Sequence, residues 1–217
     1  MAEQAAGQNG NDIVRVLERA NVYDDNFLHV ARAKVQYRHA NGEMGEPVSR
    51  LAVSHGDAVG VLVYDPGTEE VVLVRQFRYP VYDNPLHKAK PDEIARRAWL
   101  LEIVAGLMED GQTAEETARR ELQEEIGYDV TGQLEHIATV YTSPGSNTEQ
   151  ITLFLAEVDT LAQGDDSGGG LAEEGEDTEQ IKLPLQEALA MLERHEFSDA
   201  KTVLALQYLA LRQATKA

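Results

Sequence analysis

The chain has 217 residues, enough for one medium domain or a large one with a small annex, and for burying roughly 70% of its unfolded surface. It contains no cysteine, which excludes disulfides, thiolate metal sites and cysteine nucleophiles and fits a reducing compartment. Its 38 acidic and 19 basic residues give a formal charge of -19, which opposes the counterion release that drives binding to nucleic-acid polymers; it suits divalent cations, but equally a plain solvated surface.

Residues 1 to 12 are small and polar, with neither a basic start nor an apolar stretch, and are expected to form a disordered tail rather than a targeting signal. No later run approaches the ~20 apolar residues of a membrane span, so the expectation is a soluble, cytoplasmic chain with no membrane partner. Val14, Val16 and Leu17, then Phe27, Leu28, Val30, Val35 and Tyr37, predict short strands, and Asn41-Gly42 within His39 to Glu43 predicts a hairpin turn. Residues 13 to 55 therefore read as a small antiparallel β annex and 56 to 217 as the main domain. Ala58 to Tyr64 and Val71 to Arg75 flank the turn sequence Asp65-Pro66-Gly67-Thr68 and predict a second hairpin. The charged segment 83 to 98, with Pro85 and Pro91, reads as a loop with a single helical turn.

Trp99 to Ala105 is an apolar run interrupted by Glu102. A helix follows: Thr113 and Glu116 form a capping box, Ala114, Ala118, Leu122 and Ile126 recur every four residues, and Gly127 is a natural stop. Strands are predicted at 134 to 142 and 150 to 158, separated by Ser143-Pro144-Gly145-Ser146-Asn147. Residues 163 to 179 hold seven carboxylates and several glycines and are expected to be a mobile acidic loop. A strand near 180 to 183 and helices at 185 to 194 and 199 to 213 complete an α+β layered fold.

The chemistry concentrates on the helix after Gly106. Glu121, Glu124 and Glu125 stand three and four residues apart, so their carboxylates share one face opposite the Leu122 stripe. Each like-charged pair costs an isolated helix about 0.2–0.5 kcal/mol, so the cluster asks for solvent or for cations. The carboxylates alone fit a solvated acidic face at least as well as a metal site.

The wider spacing resembles the Nudix hydrolase signature. Gly106, Arg120, Glu121, Leu122, Glu124, Glu125, Gly127 and Tyr128 stand in register with that pattern, while its first glutamate is replaced here by Gln112. The resemblance spans roughly residues 40 to 210 and is closest to bacterial ADP-ribose pyrophosphatases and the related GDP-mannose pyrophosphatases. It rests further on Asn41-Gly-Glu-Met44, on Val71 to Arg78, on Trp99 to Gly106, on Ser143-Pro144-Gly145 and on Gly170 to Asp177. It implies a Nudix-type α/β/α sandwich with a mixed sheet, an N-terminal annex swapped between the subunits of a homodimer, and magnesium-dependent hydrolysis, manganese being an alternative. The implied metal ligands are Glu121, Glu124, Glu125, Glu176 and the Ala105 carbonyl. Glu174 is the implied general base, with Glu173 in its place if the alignment shifts by one residue. Arg78 is an implied phosphate clamp, Pro144 an indicator of ADP-ribose, and Glu149 and Arg50 further substrate contacts. Arg120 and Gln112 are implied supporting positions, the first orienting the glutamates and the second bonding to Arg120. Each has a plainer reading: surface ion pairs for the arginines, a turn for Pro144, solvated charge for the acidic loop. Tyr23, Phe27 and Tyr37 could stack on a base, although core packing is the commoner role of such aromatics.

The implied reaction is cleavage of ADP-ribose to AMP and ribose 5-phosphate. A nucleotide-sugar substrate such as GDP-mannose is the alternative within the enzyme class, and Gln112 motivates a third reading, a nucleotide-binding regulator with weak turnover.

Overall fold

The computed structural model describes residues 13–25, 27–84, 89–163 and 178–216. The chain divides into two compact units, Met1–Gly56 with Tyr141–Gln150, and Asp57–Val140 with Ile151–Ala217. Among the described residues no helix is long and apolar enough to cross a membrane.

In the first unit β1 (Val14–Asp24), β2 (His29–Tyr37) and β3 (Val48–Ser54) form an antiparallel sheet in the order β1-β2-β3. The turn after β2 closes through Gly42 N–H to the His39 carbonyl at 2.9 Å, with Gly42 at φ 87°, where a side chain would be strained. β1 is not the short strand expected: it runs for 11 residues with two register shifts, and every residue of it is exposed. The segment 141–150 belongs to this unit, because Val53 of β3 exchanges backbone bonds with Ser146 (2.8 Å) and Thr148 (2.9 Å).

The second unit is built on a mixed seven-stranded sheet. Its strands are β4 (Ala58–Asp65), β5 (Glu70–Phe77), β6 (Trp99–Glu102), β7 (Val104–Leu107), β8 (Leu134–Tyr141), β9 (Gln150–Glu157) and β10 (Thr178–Pro184). The central path runs β10-β5-β4-β9-β8, with β4 and β9 parallel. β4 and β5 pair only beside their turn, at residues 63–65 with 70–72, and then part. Into that fork come β7, on Ala58 to Val61, and β6, on Val74 to Phe77. The chain breaks between them at Ile103, whose N–H is satisfied by Thr202 Oγ1 at 2.9 Å.

Alternation along β4 divides the core. Val59, Val61 and Val63 pack with Ala118, Leu122 and Ile126 of α3 (Ala114–Ile126). Leu62 and Tyr64 pack on the other face with Leu185 and Ala188 of α4 (Leu185–Glu193) and Leu206 and Leu209 of α5 (Ala200–Lys216). The unit is thus an α/β/α sandwich, as period-2 strands between period-3.6 helices require. After the short α1 (Tyr79–Tyr82), the segment 83 to 98, expected to be a loop with one helical turn, contributes the seven-residue α2 (Pro91–Arg97). α2 has Pro91 at its start, Asp92 and Glu93 in its first turn and Arg96 and Arg97 in its last, all in accord with the helix dipole.

The β4–β5 turn is held by Asp65, only 2% exposed, which accepts from Gly67 N (2.7 Å), Thr68 N (3.2 Å), Thr160 N (2.8 Å) and Thr160 Oγ1 (2.7 Å). Burial alone would raise its pKa, but these bonds hold it at about 2, below the ordinary 3.8. Its stabilisation is therefore fully present above pH 3.8 and is lost as pH falls through about 2. We expect Asp65→Asn to cost on the order of 1–2 kcal/mol at neutral pH and to flatten stability between those two pH values. Urea titrations at pH 7 and across the acid limb test this; an unaltered acid limb in the variant would contradict it.

Candidate active site

α3 begins where the Thr113 side chain accepts from Glu116 N and Glu116 returns a bond to Thr113 N, and it stops at Gly127, which is left-handed at φ 71°. Its apolar stripe faces the sheet, and this rotation turns Arg120, Glu121, Glu124 and Glu125 toward β7 and its edge. Glu121 (8% exposed) and Glu125 (3% exposed) are buried, so they are not a solvated face. Glu121 lies directly over Gly106 of β7, and a methyl group on Gly106 would occupy the space of that carboxylate. The glycine is therefore required by close approach rather than by an unusual backbone angle.

Arg120 reaches three acceptors at once. It contacts Glu121 Oε1 at 2.8 Å and Glu124 Oε2 at 2.7 Å, and it donates to the Leu107 carbonyl at 3.1 Å. Burial works against its charge, but the fields of Glu121 and Glu124 outweigh that and raise its pKa. One guanidinium thus offsets the repulsion of two carboxylates and ties them to β7. In place of the expected bond to Arg120, Gln112 donates to Glu109 Oε2 at 2.9 Å and accepts from Thr117 Oγ1 at 3.0 Å. A glutamate could accept from Thr117, yet it would repel Glu109, so the amide suits its neighbour here.

The donor set around Gly106 consists of carboxylate oxygens and backbone carbonyls, which suits a hard divalent ion. Among the described residues no three carboxylates or imidazoles already form a metal cage. The fit rests instead on the two buried carboxylates, Glu121 and Glu125, on one helix face, with the Gly106 cradle holding the first of them beside Ala105. Glu173, Glu174 and Glu176 lie outside the described residues.

Arg78 follows β5 and forms a two-pronged pair with Glu102 of β6, Nε to Oε1 at 3.0 Å and Nη2 to Oε2 at 2.9 Å. Burial opposes its charge, but Glu102, by hydrogen bond and by field, raises its pKa, with smaller contributions from Glu125 and Asp199. Sequence reasoning noted Glu102 as a lone carboxylate in an apolar run and gave it no role.

In the first unit Ser143 accepts from Ser146 N (3.1 Å) and Asn147 N (2.8 Å), which places Pro144 at the second position of a tight turn. Glu149 accepts from Thr142 Oγ1 at 3.0 Å and Asn147 Nδ2 at 3.1 Å and lies 3.3 Å from His55 Nε2. His55, missed at the sequence level, stacks on Phe27 with centroids 5.8 Å apart and planes 2° from parallel. Core packing, the commoner role for annex aromatics, does not apply: Tyr23, Phe27 and Tyr37 are all exposed, Phe27 at 65%. Arg50 on β3 is exposed and donates to the Ser49 carbonyl.

The NUDIX domain matches residues 54–206 of the chain. The ADP-ribose pyrophosphatase of Escherichia coli (strain K12) is 33% identical over 209 residues, covering 95% of this chain and 93% of that protein. The GDP-mannose pyrophosphatase of Pectobacterium atrosepticum is 39% identical over 163 residues, covering 75% and 77%. A solved structure described as an ADP compounds hydrolase superposes with a TM-score of 0.62 at 17% identity, covering 95% of this chain and 97% of that one, a likeness of fold. With the domain match spanning the sheet of the second unit, α3, α4 and the start of α5, and with relatives above 30% identity over most of their length, the chain belongs to the NUDIX domain family and is a Nudix hydrolase.

Proposed function

We propose that this chain hydrolyses the pyrophosphate of ADP-ribose with magnesium, releasing AMP and ribose 5-phosphate. The observation that carries the reading is the buried carboxylate face of α3, gathered by Arg120 over Gly106. The relatives named ADP-ribose pyrophosphatase, at 33% identity over nearly the whole chain, favour this substrate. Glu121, Glu124, Glu125 and the Ala105 carbonyl, with Glu176, would hold the ion. Bound there, magnesium or manganese would withdraw charge from the phosphate oxygens and make a water more acidic.

The chain's own groups divide the remaining work. Arg120 keeps Glu121 and Glu124 from turning away, and Arg78, aimed by Glu102, faces an anionic oxygen of the pyrophosphate with the donors Glu102 leaves over. Glu174 takes the proton of the attacking water, Glu173 being the alternative. The water oxygen bonds to one phosphorus, and the bridging P–O bond breaks toward the other phosphate. Phe27, backed by His55, offers a flat face for a base, with Glu149 and Arg50 in the same unit as polar contacts and Pro144 shaping the turn before Glu149.

We further propose a homodimer in the cytoplasm. An 11-residue strand with Val14, Val16, Leu17, Val22 and Tyr23 all exposed is an unprotected sheet surface that a second copy of the annex would cover.

The test is incubation of the purified protein with ADP-ribose and magnesium, with products identified by mass. AMP and ribose 5-phosphate in equal amounts are expected, and none of either after chelation of the metal. The 39% identical GDP-mannose pyrophosphatase motivates GDP-mannose as the competing substrate, so the panel includes it. Faster release of GMP from GDP-mannose would displace ADP-ribose as the substrate, and binding of ADP-ribose without products would favour a regulator.

A further inference from the structure

Glu102 is 2% exposed at its side chain and receives two cations, Arg78 from the end of β5 and Lys201 from the first turn of α5. Lys201 Nζ bonds Glu102 Oε2 and also Asp199 Oδ1, the latter at 3.0 Å. The other oxygen of Asp199 accepts from Thr202 N at 3.0 Å and from Thr202 Oγ1 at 2.6 Å. Thr202 Oγ1 in turn accepts from Ile103 N, the residue next to Glu102. The bonds close a ring: Glu102, Lys201, Asp199, Thr202, and back along the backbone of Ile103 to Glu102. With Arg78 attached to it through Glu102, two carboxylates balance two cations, and exposure rises at one place, the Arg78 side chain at 37%.

A guanidinium has five N–H donors in one plane, and Glu102 takes two along one edge. The remaining edge is then fixed in direction by whatever fixes Glu102. Arg78 and Glu102 alone would leave the carboxylate free to pivot about its own side chain, whereas a second cation on Oε2, itself anchored at the start of α5, removes that freedom. Misplacing a contact by about 1 Å can cost a reaction up to about 100-fold even when the altered residue is remote from the chemistry.

We propose that Lys201 is a positioning residue which, through Glu102, holds the Arg78 guanidinium in the orientation that receives an anionic oxygen of the substrate pyrophosphate. This rests on the hydrolase reading above, and Arg78, not Lys201, touches substrate. Lys201→Met keeps the length of the side chain and removes its charge. It leaves the buried Glu102 and the partly buried Asp199 without the cation that bridges them, so the carboxylates repel and Glu102 shifts.

With ADP-ribose and magnesium, K201M is expected to raise KM about tenfold with kcat within about twofold of wild type, and K201R to recover most of that loss. In an Arg78→Gln background, where the group being positioned is gone, adding K201M should change KM by less than about twofold. Hydrogen exchange of the Arg78 Nε–H with water, followed by NMR, should quicken about tenfold in K201M, because a mobile carboxylate protects that proton less. An unchanged exchange rate in folded K201M, or KM increases that multiply in the double variant, would overturn the proposal. Wild-type protein that never cleaves ADP-ribose would instead sink the hydrolase reading; the exchange measurement would still pass or fail the link from Lys201 to Arg78.

Discussion

Glu125→Gln is expected to lower metal-dependent hydrolysis by about 100-fold or more, equivalent to about 3 kcal/mol of lost transition-state stabilisation. Glu125 is 3% exposed on the same α3 face as Glu121, and its amide analogue has the same shape. What disappears is the negative charge that the proposed site would offer to a divalent ion. Folding should not suffer, because an amide is less costly to bury than a carboxylate, and the thermal midpoint of E125Q should match or exceed that of wild type. Steady-state rates over a magnesium titration, with a melting curve on the same sample, supply both readings. Full activity in E125Q would remove Glu125 from the metal site, and a collapsed melting curve would show that the residue is structural instead.

The second large effect is expected at Gly106. Alanine there brings a methyl group into the space of the Glu121 carboxylate, and β7 has little room to retreat because Val59 and Gly60 of β4 pair with Gly106 and Ala105 on its other side. Either the strand or the glutamate must move. Overpacking of this kind costs about 1–3 kcal/mol of stability, and because the flexible partner is the glutamate side chain, most of the strain should appear as a displaced carboxylate. We expect G106A to remain folded at 25 °C while losing about 100-fold in turnover. Arg120 would lose its 2.8 Å contact with Glu121 in the process, although its contacts with Glu124 and Leu107 could persist. Turnover within about twofold of wild type would mean that the close approach of Gly106 and Glu121 has no bearing on catalysis.

These two sites differ in how they could be read. The start and stop of α3 were open to inspection in the chain, because the Thr113–Glu116 cap and Gly127 act over three or four residues and need no distant partner. The same local logic located β4, β5, β9, α4 and α5. It fell short at 83 to 98, where two prolines suggested a loop with a single helical turn although Pro91 followed by Asp92 and Glu93 is an acceptable helix start, and the seven-residue α2 forms there. It also undervalued β1, whose 11 residues are sustained by pairing with β2 rather than by an apolar pattern of their own.

The sequence by itself determined that this is an α+β chain carrying three glutamates on one face of a capped helix, because helix periodicity and capping are properties of neighbours along the chain. Only the tertiary structure decided that two of those glutamates are buried, that Gly106 is bare because Glu121 occupies the space of a side chain, and that Gln112 serves Glu109 and Thr117. It alone joined Glu102 to Lys201, 99 residues later, and His55 to Glu149. Such pairs carry no mark in the chain: Glu102 and Lys201 become complementary only once the fork between β4 and β5 has received β6 and β7 and α5 has packed across the break at Ile103, and His55 meets Glu149 only once the segment 141–150 has joined β3.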